Sequence, residues 1–196
     1  MRALNGYNEA KASTGEYEKI PAGGYVCQIL KVDDVYAKEY LKITFDVYEG
    51  EWRGYYREQR ERLQNSGYSA DYVGTFIRSY KDSAIGFFKG LVTAIDESNG
   101  TNFGPCIEAG FDEQRLVGCL VGLVIGYEEY EKKKGGIGER ETVVSQRSIQ
   151  KIRSGDFKVP DLKRISAGTK TSQLHSSTPA TDDFSLISAG DADLPF

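Results

Sequence analysis

Thirteen tyrosines and one tryptophan, set among lysines and arginines, are the side chains with most to offer a ligand in this chain of 196 residues. Along one stretch they fall as Tyr40, Lys42, Tyr48, Trp52, Arg53, Tyr55, Tyr56 and Arg57. Rings on a strand face can stack on unpaired nucleobases, at about 1–3 kcal/mol per base, while neighbouring cations follow the phosphates. Further on, Arg147, Lys151 and Arg153 share one strand parity, and the Lys132, Lys133 and Lys134 loop could flank the same groove. Each of these also has a plainer role open to it. A strand tyrosine is a good half-buried β former, Trp52 could belong to the core, and three consecutive lysines suit a solvated loop.

Bond-making chemistry has less to work with. The single histidine, His175, lies in a stretch of Ser, Thr and Ala, which leaves no histidine-based catalytic group. Neither a Gly-x-x-x-x-Gly-Lys-Ser/Thr phosphate loop nor a His-Glu-x-x-His zinc motif occurs. Cys27, Cys106 and Cys119 are odd in number and far apart; they suggest neither a zinc site nor a disulfide framework and fit a reducing cytoplasm. Asp161-Leu162-Lys163 copies the Asp-x-Lys end of some nuclease sites without an upstream partner. Asp33, Asp34, Glu39, Asp46, Glu49 and Glu51 scatter over strands and turns like solvated surface rather than a metal cage. No enzymatic activity, metal or cofactor is expected, with a metal-dependent nuclease as the enzyme alternative.

The far end of the chain carries a different chemistry. Gly190-Asp191-Ala192-Asp193-Leu194-Pro195-Phe196 ends on an aromatic ring beside the terminal carboxylate. Phe196 and Leu194 offer an apolar payload, while Asp191, Asp193 and the carboxylate suit a basic rim around a partner's pocket. Pro195 stiffens the approach. Asp182-Asp183-Phe184 is a second acidic-aromatic cluster. A net charge of −4 at first argues against nucleic acid. Asp182, Asp183, Asp191 and Asp193 against Lys170 place −3 of it beyond residue 165, leaving 24 basic and 25 acidic side chains before that point. A near-neutral body can still carry a basic face.

The elements that must position these groups are mainly β. After a polar arm over residues 1–20, Pro21-Ala22-Gly23-Gly24 signals a turn, and Tyr25 to Val35 reads as a strand. Leu41, Ile43, Phe45 and Val47 alternate with Tyr40, Lys42, Thr44, Asp46 and Tyr48, which predicts a strand with one buried face. Glu49-Gly50 then allows a hairpin into a third strand, Trp52 to Arg57. Tyr72 to Tyr80 reads as a short helical piece. Ile85, Phe88, Val92 and Ile95, widened by Phe87 and Leu91, predict a helix capped by Asp82-Ser83 and ended by Asn99-Gly100. Leu116 to Tyr130 and Glu141 to Arg153 read as the last two strands. The Leu116–Tyr127 apolar run falls well short of the roughly 20 residues of a membrane helix. Its Gly118, Gly122 and Gly126 copy a membrane-pairing motif but fit a buried strand equally well. No apolar stretch of the kind a secretion signal needs follows Met1-Arg2, so secretion is not expected. Five strands with a helix between the third and fourth is the order of an OB-fold barrel; an α+β sheet with a packed helix is the alternative. The barrel is expected over 21–160, a flexible linker over 161–189 and the acidic tip over 190–196.

The tip Asp191-Ala192-Asp193-Leu194-Pro195-Phe196 resembles the C-terminus of bacterial and phage single-stranded DNA-binding proteins, where acidic residues precede an apolar residue, Pro and a final Phe. Ala192 stands where that run usually holds another acid. The domain resembles the phage branch in element order and in segments such as Tyr127-Glu128-Glu129-Tyr130. The resemblance implies an OB-fold that coats single-stranded DNA without strong sequence preference during replication, recombination or repair. It implies a disordered acidic tail that recruits replication or recombination proteins, and a cytoplasmic location, the host's if the chain is phage-encoded. No membrane is expected, and the chain's edge strands could pair two copies. The alternatives are a strand-annealing recombination mediator and a protein-interaction adaptor that binds no nucleic acid.

Overall fold

Strand β1 (Gly23–Val35) is long enough to serve two neighbours, and that decides the architecture. Its first half pairs with β4 (Leu120–Glu131) from Gly23↔Ile125 to Gln28↔Leu120. Its second half pairs with β2 (Tyr40–Val47) from Cys27↔Val47 to Val35↔Tyr40. A bulge between Ile29 and Lys31 turns Leu30 outward and bends the strand between its two partners. β3 (Thr75–Ser79) joins β2, and β5 (Ile137–Arg147) joins β4. The sheet is antiparallel throughout, in the order β3-β2-β1-β4-β5. The computed structural model describes residues 18–107, 109–132 and 135–165. Contacts divide the chain into Met1–Ile165 and Ser166–Phe196, and the whole sheet belongs to the first unit.

One side of the sheet holds the main core. Leu41, Ile43, Phe45 and Val47 of β2 meet Cys27, Ile29 and Val32 of β1 and Val121, Leu123 and Ile125 of β4. Helix α2 (Ile85–Asn99) adds Phe88, Leu91, Val92, Ala94 and Ile95, and Gly100 ends it in the left-handed conformation at φ 65°. Asp96 then gathers the next turn, accepting from Thr101 Oγ1 at 2.7 Å and Phe103 N at 2.9 Å before the short helix α3 (Gly104–Ile107). A smaller cluster lies on the other side. Helix α4 (Ile149–Arg153) packs Ile149 and Ile152 on Val26 and Val124, with Phe157 beside them. Gly24 and Gly122 allow it: a Cβ on Gly24 would lie 2.5 Å from Phe157, and one on Gly122 would lie 2.4 Å from Ile152.

Several elements differ from the sequence reading. Trp52 to Arg57 is not a strand. Gly54 takes φ 83°, and helix α1 (Tyr55–Asn65) begins immediately after it. The Asp46 carboxylate accepts from Val47 N at 2.9 Å and Tyr56 N at 3.0 Å, so it caps the positive end of α1. The run Glu58 to Gln64 is rich in good helix formers, but Tyr56 is the only buried side chain of α1, so no apolar period announces the helix. Arg60 fastens α1 to the sheet by donating to Phe45 O at 3.2 Å and Val73 O at 3.0 Å. Tyr72 to Tyr80 holds strand β3 in place of a helix. Phe76 and Arg78 point inward, and the inward arginine disguises the alternation. The last strand stops at Arg147, and Ile149–Arg153 turns into α4. On α2, Ile85 and Phe87 are exposed, and Asp82–Ala84 forms a 3-10 turn that makes no side-chain cap. The sheet is open: β3 and β5 are its edges and no pairing closes a barrel among the described residues.

Candidate nucleic-acid interface

On the β2 side of the sheet, the face opposite the core carries three rows of side chains set by strand register. Lys31, Thr44 and Thr75 form one row; Asp33, Lys42 and Ile77 the next; Val35, Tyr40 and Ser79 the third. All nine keep partial or full exposure. Tyr72, just before β3, is half exposed, and Lys42 Nζ sits 4.8 Å from its ring centre. Tyr36 projects at the end of β1 with 81% of its surface exposed. Lys31 is tied to Asp33 at 2.6 Å, whereas Lys42 forms no ion pair among the described residues. A ring with an ammonium against it presents one group for a base and one for a phosphate. Tyr40 and Lys42 are where the alternation of β2 places them. Tyr72 and Lys31 join them only through the pairing of three strands, which the sequence does not show.

The remaining aromatics serve other purposes. Tyr56 is 3% exposed, with Phe45 at 5.0 Å and Tyr55 at 5.0 Å, both edge-on. Tyr55 donates to Glu141 Oε1 at 3.0 Å and accepts from Ile20 N at 3.2 Å, while Tyr127 donates to Ile20 O. Tyr56 and Tyr127 also face Glu141. Burial pushes the Tyr55 hydroxyl up to about 12 and Tyr56 well above its ordinary value. Burial likewise raises the Glu141 carboxyl, against the pull of the tyrosine hydrogen bonds. This network fastens residues 18–21 to β4 and β5, so Tyr55 and Tyr56 are structural side chains, not an open stacking platform. Trp52 is half buried and edge-on to Tyr55 at 5.4 Å. It lines a cleft of about 290 Å³ with Glu49, Glu51 and Arg153; Arg153 is taken up by Glu49, so Glu51 leaves the cleft net negative, a poor setting for phosphate. Tyr48 stays exposed where its N–H bonds Val26 O.

The cations divide three ways. Arg53 and Arg57 are exposed around the start of α1. Arg153 lies on α4, not on a strand, and forms a two-pronged pair with Glu49 at 2.8 and 2.9 Å. Arg147 at the end of β5 and Lys151 on α4 line a groove against α2, together with Lys89. Lys132 is exposed past β4, its N–H bonded to Gly136 O. Lys133, Lys134 and the tip residues Asp191, Asp193, Leu194, Pro195 and Phe196 lie outside the described residues. One buried cation stands apart: Arg78 is 6% exposed, its Nε has no hydrogen-bond partner, and burial lowers its guanidinium to about 10. Among the described residues no three His, Cys, Asp or Glu side chains gather to hold a metal, and no helix is long and apolar enough to cross a membrane. No protein-family model matches the chain, and no curated protein matches it.

Proposed function

We propose that the domain binds single-stranded DNA, without strong sequence preference, on the outer face of β1, β2 and β3. The observation that carries this reading is the grouping of Tyr40, Lys42 and Tyr72 on a sheet face that the core does not use, with Lys42 over the Tyr72 ring. The proposed mechanism is stacking plus phosphate neutralisation, with no bond made or broken. The strand order with α2 between β3 and β4 is that of an OB-type barrel opened along β3 and β5, and α2 packs against both edge strands. The acidic tip ending in Leu194-Pro195-Phe196 fits recruitment of replication or recombination proteins.

Fluorescence anisotropy of a labelled poly-thymidine oligonucleotide and of a duplex, across a salt series, tests the reading. The single strand is bound in a salt-sensitive way and the duplex is not. Y40A and Y72A each weaken binding about 5- to 150-fold, the equivalent of about 1–3 kcal/mol per stacked base. Trp52 emission stays unchanged, because that ring lies in the acidic cleft. Deleting Asp191 to Phe196 raises affinity at low salt and abolishes capture of partners. If the tip-deleted chain binds no oligonucleotide at low salt, the nucleic-acid reading is wrong and the adaptor reading takes its place. Faster pairing of complementary strands, in place of simple coating, would assign the annealing role.

A further inference from the structure

The groove between α2, the end of β5 and α4 holds about 420 Å³ and is lined by Lys89, Arg147 and Lys151. Among the described residues Glu97 is the only acidic side chain lining it, so the groove is net positive. None of the three cations is in an ion pair among the described residues; the Arg147 guanidinium bonds only to the neighbouring Gln146 carbonyl, at 2.8 Å. Gln146 contributes a second feature: its amide nitrogen is buried and has no hydrogen-bond partner. A buried donor left unmet is costly in a finished fold.

The floor of the groove supplies a third. Gly86 and Gly90 belong to α2, in ordinary helical conformation, and an added Cβ on either would meet nothing within 4 Å. Glycine is the least favourable residue in a helix interior apart from proline. Neither packing nor backbone shape requires it at these two positions. Bare backbone along a cationic groove allows close approach by something outside the chain. No aromatic or large aliphatic side chain among the described residues lines the groove, so it has nothing to seat an apolar anchor or to stack on a base. Its chemistry is that of a phosphate chain.

We infer that this groove is a second contact for a nucleic-acid backbone, engaged when a bound single strand is long enough to pass from the outer face of β1–β3 to the α2 side. The inference rests on the proposed single-strand binding and deepens it: bases would be held at one surface and phosphates alone at the other.

The test uses the full chain, thymidine oligonucleotides of increasing length and inorganic polyphosphate as a base-free probe. Each phosphate contact to a single strand adds about 0.7 to the slope of log affinity against log salt. The K89Q/R147Q/K151Q variant therefore lowers the slope by about 2 for long oligonucleotides, leaves short ones unaffected, and loses polyphosphate binding. G86A/G90A weakens long-oligonucleotide binding while making the helix more stable, a combination that a purely structural role for the glycines would not give. Equal slopes for the wild type and the triple variant at every length overturn the inference while leaving the aromatic-face reading intact. Absence of polyphosphate binding by the wild type at low salt overturns it too. Loss of oligonucleotide binding in Y40A/Y72A alone, with polyphosphate still bound through the groove, supports both surfaces. Polyphosphate binding without any oligonucleotide binding keeps the groove as an anion site and removes the single-strand reading on which this role was built. Stronger competition by an acidic peptide than by a long oligonucleotide overturns the inference in favour of a protein partner.

Discussion

Replacing Gly122 with alanine puts a Cβ 2.4 Å from Ile152 Cγ1 and 2.8 Å from the Arg147 carbonyl oxygen. The first neighbour is a side chain that can move if α4 moves; the second is backbone of the paired strand. Two responses bracket the cost. Local compression of a packed site costs about 1–3 kcal/mol. Complete release of α4 would expose Ile149 and Ile152, now 7% and 9% exposed, and forfeit about 3–6 kcal/mol of burial. The bond from Ile149 N to Ser98 Oγ at 3.1 Å would go with it. A loss of about 2–4 kcal/mol is expected, which for a domain of this size lowers Tm by roughly 5–12 °C. Urea unfolding followed by tryptophan emission measures it. G126A is the control, because its Cβ would press on a single side-chain methyl, Val144 Cγ2 at 2.8 Å, with Pro160 Cγ at an ordinary 3.9 Å and no backbone atom close by, and it should cost clearly less. I152A alone costs about 2–5 kcal/mol, yet G122A added to I152A should cost less than G122A in the wild type, since part of the clash is gone. A G122A protein within about 0.5 kcal/mol of wild type would refute this packing of α4 on β4.

Three further outcomes hinge on single side chains. Because burial raises the Glu141 carboxyl above its ordinary 4.5, the folded state holds more protons than the unfolded state just above that pH, and stability falls as pH rises through the folded value. E141Q, which still offers Tyr55 an acceptor, should therefore be more stable than wild type at pH 8 and show a flatter urea-midpoint profile between pH 5 and 8; a steeper profile would contradict the assignment. R78M removes a buried guanidinium whose fall from 12.5 to about 10 corresponds to a cost of up to about 3 kcal/mol, so the variant should gain about 1–3 kcal/mol in urea unfolding. Destabilisation would mean that the arginine has a stabilising role. Cys27 is 0% exposed and burial raises its thiol, so a thiol reagent at pH 8 should reach Cys106 and Cys119 while Cys27 reacts only in denaturant.

What could be read from the chain alone was whatever one strand or one helix decides for itself. Leu41, Ile43, Phe45 and Val47 alternate because a single face of β2 is buried, and Phe88, Leu91, Val92 and Ile95 repeat because a single stripe of α2 is. The start of α1 was hidden because it depends on Asp46, ten positions earlier, reaching the Tyr56 N–H. β3 was hidden because Arg78 occupies an inward position, where an arginine counts as polar in any pattern. Tyr40 and Lys42 were legible from parity. Tyr72 was not, since only the pairing of β2 with β3 brings it to Lys42. Tyr55 looked like a stacking ring because its partner, Glu141, lies 86 positions away. Closure of the sheet depends on two edge strands meeting, and no local pattern encodes that.

The double service of β1 has a consequence for how the protein is made. Its pairing with β2 needs only the short turn at Tyr36–Glu39, so that hairpin can form as soon as both strands leave the ribosome. Its other edge must wait for β4; the Gln28 side chain bonds Gly118 O across 90 positions. Until β4 emerges, the amides of Gly23 to Gln28 and the apolar sides of Val26 and Cys27 lack their partners, an open template for another nascent chain. Folding speed should therefore be governed by the capture of β4 by β1, and slow translation between the two strands would lengthen the interval in which the chain is open to aggregation.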